Sequence, residues 1–491
     1  MIDFTHRQIS ASDIDRAADC IGNNEKTREC ELRQTIYGTF PYDYKIENLK
    51  DLCVTQGGIQ TGPFGSQLHQ EDYVDVGTPI LTVEHLGENR ITHNNIPRIS
   101  NADRCRLAKY SLESGDIVFS RVGSVDRRAL VRPAEEGWLF SGRCLRVRPD
   151  QKKLDSGYLS YFFGLDSFKK YIRSVAVGAT MPSLNTAILS DIEIPHPKSL
   201  PEQRRIAHVL GTLDDKIENN RKTAKTLEAM AQAIFKSWFV DFDPVRAKMA
   251  GESGESICKR LKLTPEILDL FPDRLVDSEL GEIPEGWGVG TFDDYADIVG
   301  GSTPSTNNPD YWLSGLHSWA TPKDLSNLTV PVLLATENKI THAGLQQISS
   351  RLLPVGAVLL SSRAPIGYLA IAEIPVAINQ GFIALKPHNH EDNIFLMLLI
   401  KQLMKEIISR ANGSTFLEIS KAKFRPIQVI FPLEPILNYF AALVGPCFSS
   451  IVSLEKSTQM LTAIRDTLLP KLISGEIRIP DAECKIEEAT G

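Results

Sequence analysis

The chain has 491 residues, which is long enough for more than one domain. Its net charge of −7 argues against a uniformly basic nucleic-acid-binding protein, although local basic surfaces remain compatible with it. The N-terminus is polar and the longest purely apolar run, 394–400, is too short to span a bilayer, so a cytoplasmic location is expected. The eight cysteines lack Cys-x-x-Cys spacing, which predicts free thiols and neither a zinc site nor a disulfide framework.

The sequence contains two copies of one domain. Residues 1–40 have no recognised counterpart later in the chain and are assigned to an N-terminal extension without a predicted function. The first domain, 41–199, opens with Pro41-Tyr42-Asp43-Tyr44. At a constant offset of 243, the second domain, 284–432, opens with Pro284-Glu285-Gly286-Trp287. The repeat predicts two α+β domains, each a mixture of short strands and helices.

Matching segments inside the domains support the repeat. The run Ser114-Gly-Asp-Ile-Val-Phe-Ser-Arg121 corresponds to Val355-Gly-Ala-Val-Leu-Leu-Ser-Ser-Arg363, so a predicted strand ends on Ser-Arg in both copies. Residues 176–197 then align without a gap on residues 411–432.

A central helical spacer region, 200–245, follows the first domain. Its apolar and small residues recur at alternating steps of four and three, the pattern of a helix that packs along another helix. Pro201 suits a first helical turn. We expect Gly211-Thr212 to break the segment, with Thr212 capping a longer helix, 213–240, of about 40 Å.

A distal helical spacer region, 433–476, repeats this design at an offset of 234, after a polar and acidic linker at 246–283. Gly211 falls on Gly445, and Pro446 would start the second long helix, so the same break is expected. Antiparallel pairing would form a coiled-coil spacer with an approximate internal two-fold axis and a domain at either end; two unrelated core helices are the alternative. Residues 477–491 would be a C-terminal tail. The predicted seam comprises Leu213, Ile217, Asn220, Leu227, Ile234, Trp238, Ile451, Leu454, Leu461 and Leu468.

Catalytic motifs are not apparent in the sequence. Phe242-Asp-Pro-Val245 is not the run with which an amino-methyltransferase holds a flipped base, and no phosphate-binding loop of the Gly-x-x-x-x-Gly-Lys-Ser/Thr type occurs. Pro480-Asp-Ala-Glu-Cys-Lys485 places its acidic residues too close together for a metal nuclease. The histidines do not cluster, so no metal site is predicted.

Two segments have a local basic excess, which is what contact with DNA phosphates requires. Residues 98–148 hold eleven basic and six acidic side chains, and residues 410–425 hold four and one. An ordinary solvated charged face is the alternative for any single residue. The candidate DNA-binding residues are Arg121, Arg127, Arg128, Thr180 and Asn185 in the first domain, and Lys323, Arg363, Ser414, Thr415, Lys421 and Lys423 in the second.

The order and spacing of several motifs give the chain a family resemblance. These motifs are Leu200-Pro-Glu-Gln-Arg-Arg-Ile-Ala207, Leu213-Asp-Asp-Lys-Ile-Glu218, Ala233-Ile-Phe-Lys-Ser-Trp-Phe-Val-Asp-Phe-Asp-Pro-Val245, Gly281-Glu-Ile-Pro-Glu-Gly-Trp287 and Leu468-Leu-Pro-Lys-Leu-Ile-Ser-Gly-Glu476. With the repeat, they make residues 41–480 resemble the specificity subunit of type I restriction–modification systems. Two departures are the long extension 1–40 and the absence of a Pro-x-Gln run from the second helical region.

The resemblance implies a non-catalytic, sequence-specific DNA-recognition subunit. Its two target-recognition domains would each read one half of a bipartite double-stranded target, and its helices would dock two modification subunits. The resemblance places S-adenosylmethionine on those methyltransferase subunits, and ATP and Mg on the restriction subunits, with no cofactor on this chain and no membrane partner.

Two other functions remain open on the sequence alone. One is a non-catalytic, helix-paired adaptor with two ligand-binding domains, which salt-insensitive binding of a non-nucleic ligand would favour. The other is a diverged fused DNA methyltransferase or nuclease, and tight binding of an adenosyl cofactor by the isolated chain would favour the methyltransferase.

Overall fold

The computed structural model describes residues 31–63, 67–178, 180–413 and 417–482, so most of the N-terminal extension and the end of the tail lie outside it. The chain forms two compact units. Unit 1 comprises the chain up to Ile217 together with everything from Gln459 onwards, and unit 2 comprises Glu218–Thr458. Each unit holds one α/β domain and a part of each of two long helices, α6 (Leu200–Phe239) and α16 (Glu434–Ile473).

The other elements are numbered in chain order. The strands of unit 1 are β1 (Leu32–Thr35), β2 (Gly38–Pro41), β3 (Lys45–Asn48), β4 (Ile59–Thr61), β5 (Tyr73–Val74), β6 (Thr78–Leu81), β7 (Glu88–Asn89), β8 (Arg98–Ile99), β9 (Ile117–Ser120), β10 (Arg128–Leu130), β11 (Leu139–Phe140), β12 (Cys144–Val147) and β13 (Glu193–His196). Its helices are α1 (Leu49–Leu52), α2 (Asn101–Arg106), α3 (Ser156–Phe162), α4 (Asp166–Val175) and α5 (Thr186–Ser190).

Unit 2 repeats this inventory with additions at its start. Its strands are β14 (Leu275–Ser278), β15 (Gly281–Pro284), β16 (Gly288–Thr291), β17 (Ala296–Gly300), β18 (His317–Ala320), β19 (Val332–Leu333), β20 (Asn338–Ile340), β21 (Val358–Ser361), β22 (Leu369–Ala372), β23 (Val376–Ile378), β24 (Phe382–Pro387) and β25 (Gln428–Phe431). Its helices are α7 (Asp243–Met249), α8 (Gly254–Leu261), α9 (Pro265–Leu270), α10 (Phe292–Tyr295), α11 (Pro322–Ser326), α12 (His342–Gln346), α13 (Asn393–Gln402), α14 (Met404–Ser409) and α15 (Lys421–Phe424).

Both domains are built on the same five-stranded sheet. Its order is β4-β12-β9-β10-β7 in unit 1 and β17-β24-β21-β22-β19 in unit 2. The central strands β9 and β21 are wholly buried and apolar apart from a final serine. A second, smaller sheet pairs β6 with β11 in parallel, and β18 pairs with β23 in the same way. The predicted pair of tandem α+β domains is therefore confirmed at the level of strand order.

The repeat begins earlier than the sequence analysis placed it. Strands β1 and β2 form a hairpin, and β14 and β15 form its counterpart at the offset of 243. In the first, the hydroxyl of Thr35 donates to the Gly38 carbonyl at 2.9 Å; in the second, Ser278 donates to Gly281 at 2.6 Å. The expectation that residues 1–40 lack a counterpart is wrong for residues 32–40.

The two long helices also repeat at both ends. Helices α6 and α16 are 40 residues each, start and end at an offset of 234, and are about 60 Å long at about 1.5 Å per residue. The break expected at Gly211 and Gly445 is wrong, because both helices run through it. Thr212 donates to the His208 carbonyl within the helix at 2.9 Å and does not cap a new one.

Packing explains why the helices continue. Glycine costs only about 1 kcal/mol in a helix interior, and proline about 3 kcal/mol. On α6, the residues buried on either side of Gly211 are Leu210 and Leu213. On α16, the residues buried on either side of Gly445 and Pro446 are Val444 and Phe448. Tertiary burial therefore outweighs the local preference for a break.

Contacts within the units show that the helices pair antiparallel, as predicted. In unit 1, Asp214 of α6 accepts a hydrogen bond from Arg465 of α16 at 2.9 Å. In unit 2, Asn220 donates to the hydroxyl of Ser457 at 3.1 Å, and the ring of Phe239 lies 5.0 Å from that of Phe440. As the residue number along α6 rises, the residue number of its contact on α16 falls, so the two helices run antiparallel.

This pairing accounts for part of the apolar composition of α16. The helix is long and apolar enough to cross a membrane by length and composition, with a mean hydropathy of 1.5 over an 18-residue window. Its residues Ile436, Phe440 and Ile451 are buried in the core of unit 2, and 39% of the window is buried in all. Composition alone therefore does not make α16 a membrane span.

The segment treated as a polar linker is folded. Helices α7, α8 and α9 and strands β14 and β15 together occupy most of it, and Ile257, Leu268 and Phe271 are buried. The indole of Trp238 on α6 meets the ring of Phe271 edge-on at 5.3 Å. The acidic surface of the segment thus covers an apolar face that packs into unit 2.

The seam yields a stability prediction. Phe440→Ala removes a ring that is 1% exposed and should lower the free energy of unfolding by about 3–5 kcal/mol. Tyr439→Ala, at a neighbouring position that is 43% exposed, should change it by no more than about 0.5 kcal/mol. Calorimetry of the purified chain would compare the two variants, and equal losses would show that Phe440 does not hold the seam.

Candidate nucleic-acid interface

Two loops meet at the end of strand β9 in unit 1. The amide of Gly123 donates to the Pro182 carbonyl at 2.9 Å, and the amide of Leu184 donates to the Arg121 carbonyl at 2.8 Å. The loop 121–127 is thereby joined to the segment that contains Thr180 and Asn185. Between them lies an open groove of about 440 Å³, lined by Gly123, Ser124, Val125, Asp126, Arg127, Arg173 and Pro182.

Two cations line this groove. Arg127 is exposed, and its backbone carbonyl accepts a hydrogen bond from Ser120 at 2.9 Å. Arg173, in the last turn of α4, forms an ion pair with Asp126. Partial burial works against the charge of Asp126, but the hydrogen bond from Arg173 holds the pKa of this carboxyl below its usual value. Sequence reasoning missed Arg173 because it lies just before the segment that aligns with the second domain.

Arg128 is not a surface residue, which corrects its assignment as a DNA contact. Its side chain is buried and its Nε donates to the Ser160 carbonyl at 2.7 Å. Burial lowers the pKa of Arg128 to about 10. Its counterpart on β22 is Leu369, which packs against the core of unit 2. Arg128 is therefore an interior residue that stabilises the sheet.

The other two candidates of unit 1 differ in their local roles. Thr180 is exposed. Asn185 is exposed too, but its side-chain oxygen accepts a hydrogen bond from the Ile188 amide at 2.8 Å and so caps α5. Asn185 therefore holds the loop in place, whatever else it contacts.

The equivalent loops of unit 2 meet in the same way. The amide of Ile419 donates to the Ser362 carbonyl at 3.0 Å, so the loop after β21 contacts the segment before α15. Arg363 lies here, with its guanidinium 3.8 Å from the Glu418 carboxylate. Lys421 and Lys423 are exposed on α15. Ser414 and Thr415 fall outside the described residues.

The register of the two Ser-Arg runs differs by one residue from the sequence alignment. Strands β9 and β21 correspond at an offset of 241, so Arg121 matches Ser362 and Arg363 matches Val122. The isolated bridges agree, because Val122 pairs with Ser183 where Arg363 pairs with Glu418. The two arginines therefore occupy successive positions, not equivalent ones.

Lys323 belongs to a different part of unit 2. It lies on α11, and its Nζ is 2.8 Å from the Glu337 carboxylate. The hydrogen bond to Glu337 raises the pKa of Lys323. The structure does not bring Lys323 to the Arg363 loop through any of the contacts described above.

Five of the eleven basic residues in 98–148 are buried or half-buried. The guanidinium of Arg146 is buried and donates to the Ser111 carbonyl at 3.0 Å. Arg148 pairs with Asp116 at 2.7 Å, and Arg132 pairs with Asp215 of α6 at 3.0 Å. The exposed cations of the segment are Arg98, Arg104, Arg106, Lys109, Arg127 and Arg143. A charge count along the sequence therefore overstates the positive surface.

The parts of the chain that the structure describes contain no cluster of three or more His, Cys, Asp or Glu side chains placed to hold a metal ion. The loop pairs after β9 and β21 present exposed cations and hydrogen-bonding groups at the ends of equivalent strands.

Comparisons with known proteins bear on the same two domains. The model of the family described as type I restriction modification DNA specificity domain matches residues 41–229 and 284–436. The type I restriction enzyme MjaIX specificity subunit of Methanocaldococcus jannaschii is 25% identical over 468 residues, which cover 92% of this chain and 98% of that protein. The HindI specificity subunit of Haemophilus influenzae is 27% identical over 429 residues, covering 79% and 92%.

A solved structure shares the fold. The crystal structure of the S subunit of a type I restriction–modification system from M. genitalium matches with a TM-score of 0.55 at 17% identity, over 91% of this chain and 98% of that one. Because the family model covers both repeated domains and well over half of the residues, the chain belongs to the type I restriction–modification DNA specificity family.

Proposed function

We propose that this chain is the DNA-specificity subunit of a type I restriction–modification complex. Each domain reads one half of a bipartite double-stranded target, and helices α6 and α16 dock the modification subunits. The family match over both domains supports the proposal. One structural observation carries it: the same pair of loops is presented at the same strand end in both units.

The loops share a backbone hydrogen bond but differ in their side chains. The bond from Leu184 to Arg121 in unit 1 has its counterpart in the bond from Ile419 to Ser362 in unit 2. At the offset of 241, Arg127 is replaced by Tyr368. A shared frame with different side chains suits two readers of different sequences, because base edges are distinguished by side-chain donors, acceptors and apolar groups. The target is therefore expected to have two unlike halves.

The chain itself performs no catalysis in this proposal. S-adenosylmethionine is carried by the modification subunits, and ATP with Mg by restriction subunits where these join the complex. The candidate DNA contacts are Arg121, Arg127, Thr180 and Asn185 with Arg173 in unit 1, and Lys323, Arg363, Ser414, Thr415, Lys421 and Lys423 in unit 2. Assembly takes place in the cytoplasm, where both chromosomal DNA and the adenosyl cofactor are available.

Methylation mapping tests the proposal directly. The chain would be co-expressed with its candidate modification subunit in a methylation-deficient host, and methylated adenines would be mapped across the genome. The expected motif has two specified halves separated by unspecified bases, and it disappears when the chain is omitted. A single continuous motif, or the same motif without the chain, would refute the assignment.

The first half-site prediction compares two adjacent arginines. With the mapped target in hand, Arg127→Ala should weaken DNA binding by about 1–3 kcal/mol, and the loss should vanish on a target altered only in the first half. Arg128→Leu introduces the residue that stands at the equivalent position of unit 2, and should leave Kd within about threefold. Kd would be measured by fluorescence anisotropy, with melting temperatures recorded for both variants. A larger effect of Arg128→Leu in a folded protein would reverse the assignment.

The second half-site prediction concerns Arg363. Arg363→Ala should weaken binding of the complete target by about 1–3 kcal/mol, with no further loss on a target altered only in the second half. Lys386→Ala provides the control, because Lys386 is also ion-paired, at 3.0 Å to Asp297, but lies near the other end of β24. Equal losses in the two variants would indicate a general effect of charge and exclude a specific role for Arg363.

A further inference from the structure

Adjacent aspartates on α6 hold two different parts of unit 1. Asp214 is 7% exposed, and its carboxylate accepts hydrogen bonds from Arg465 of α16 at 2.9 Å and from the hydroxyl of Tyr161 on α3 at 2.7 Å. This carboxylate joins the two long helices to the inner core of the domain. It thereby fixes one side of α6.

Asp215 faces another part of the domain. Its Oδ1 accepts from Arg132 at 3.0 Å and from Arg90 at 2.5 Å. The neighbouring protein partly desolvates Asp215, although its side chain is 57% exposed, and the hydrogen bonds from Arg90 and Arg132 hold the pKa of this carboxyl below its usual value. We call Asp215, Arg90 and Arg132 the carboxylate clamp.

The clamp connects two separate apolar cores. Ile91 and Val131, the neighbours of its arginines, belong to a cluster that includes Leu139 and lies between the smaller sheet and one face of the five-stranded sheet. Leu213 and Ile217 of α6 belong to the cluster that contains the inner helices and α16. We call the smaller sheet and its cluster the outer lobe. The clamp is therefore a polar bridge between the outer lobe and helix α6.

Strand β10 relates the clamp to the candidate DNA-binding loop. Arg127 directly precedes β10, and Arg132 lies two residues after its end. At about 3.3 Å per residue, the five steps between them span roughly 17 Å. Strand β7, which pairs with β10, ends one residue before Arg90. The clamp thus holds one end of a short strand pair whose other end carries the loop.

The clamp is not repeated at the corresponding positions of unit 2. At the helix offset of 234, Asp215 corresponds to Ser449, and at the sheet offset of 241, Arg132 corresponds to Glu373. A serine and a glutamate cannot form the equivalent ion pair. The two domains are therefore attached to their helices by different chemistry at this point.

We propose that Asp215 is a positioning residue for recognition of the first half-site. By holding Arg90 and Arg132, it fixes the outer lobe and strand β10 against α6, and so fixes where the loop 121–127 meets DNA relative to that helix. The inference rests on the proposed DNA-specificity function. Its consequence is that the clamp helps to set the length of the unspecified spacer that the complex accepts.

Spacer preference is the decisive measurement, since a merely stabilising ion pair would not change it. The assembled complex with its modification subunits would be titrated with the mapped target and with targets whose spacer is one base pair longer or shorter. In Asp215→Asn, the native target should bind about twofold to fivefold more weakly, because ion pairs of exposed carboxylates contribute little. The preference for the native spacer over the altered ones should fall by about threefold or more.

Two further variants sharpen the experiment. Arg132→Gln should reproduce the loss of spacer preference, and combining it with Asp215→Asn should add little, because both remove the same interaction. Glu218→Gln is the matched control, since this α6 carboxylate pairs with Lys222 on its own helix at 3.5 Å. Its spacer preference should equal that of the unaltered protein.

The outcomes separate the clamp from the proposed function. If the unaltered complex shows no sequence-specific binding, the proposed function fails. If it binds with a defined spacer preference and Asp215→Asn keeps that preference, the positioning role is overturned and the function stands. Equal weakening on all three spacers together with a lower melting temperature would likewise overturn the role, because it would indicate loss of stability alone.

Discussion

The apolar seam between α6 and α16 is the constraint on which the rest of the structure depends. Most of the stability of a helix in a protein comes from packing of its apolar face, and both 40-residue helices have such a face covered by a partner. In each unit the covered face continues into the domain. Ile217 and Leu461 share a core with Tyr158 of α3, and Phe440 packs on Phe235 and on Phe395 of α13. Because domain and helix halves share one core, each recognition domain is attached to the seam by its own hydrophobic interior and not by a flexible joint.

Because α6 and α16 are repeats of one another, each helix could also pair with a second copy of itself. Polar residues in the seam disfavour such pairs. At the offset of 234, Asp214 corresponds to Phe448 and Arg465 to Ala231. An antiparallel pair of two α6 helices would set Asp214 opposite Ala231, and a pair of two α16 helices would set Arg465 opposite Phe448. The first would leave the buried carboxylate of Asp214 without its cation, which costs several kcal/mol, and the second would leave Arg465 with only Asp466 of its own helix as a partner. The ion pair therefore contributes more to the choice of partner and register than to stability, in the way that buried polar residues of coiled coils do.

The sequence was sufficient for the elements whose signal is periodic and repeated. The offset of 234 and the heptad spacing predicted both long helices and their antiparallel pairing. Local rules failed where packing outweighed them, since Gly211 and Pro446 lie inside continuous helices. Arg128 was misplaced because a charge gives no sign of burial when its partner, the carbonyl of Ser160, is 32 residues away. The sequence alignment matched Arg363 with Arg121, which is one residue away from its structural counterpart. The cause is the extra serine, Ser362, which lies beyond the end of β21, where only hydrogen bonds define the register.

The proposed recognition of different half-sites by one fold requires loops whose shape does not depend on the side chains proposed to read the bases. The loop after β9 meets this requirement, because the bonds that hold it run from the amides of Gly123 and Leu184 to backbone carbonyls. The bond at Ile419 does the same after β21. Backbone groups must be paired in any sequence, so the frame survives a change of Arg127 to the Tyr368 of the other copy. Specificity can then diverge between the two domains at the loops while the seam keeps the pairing of the helices unchanged.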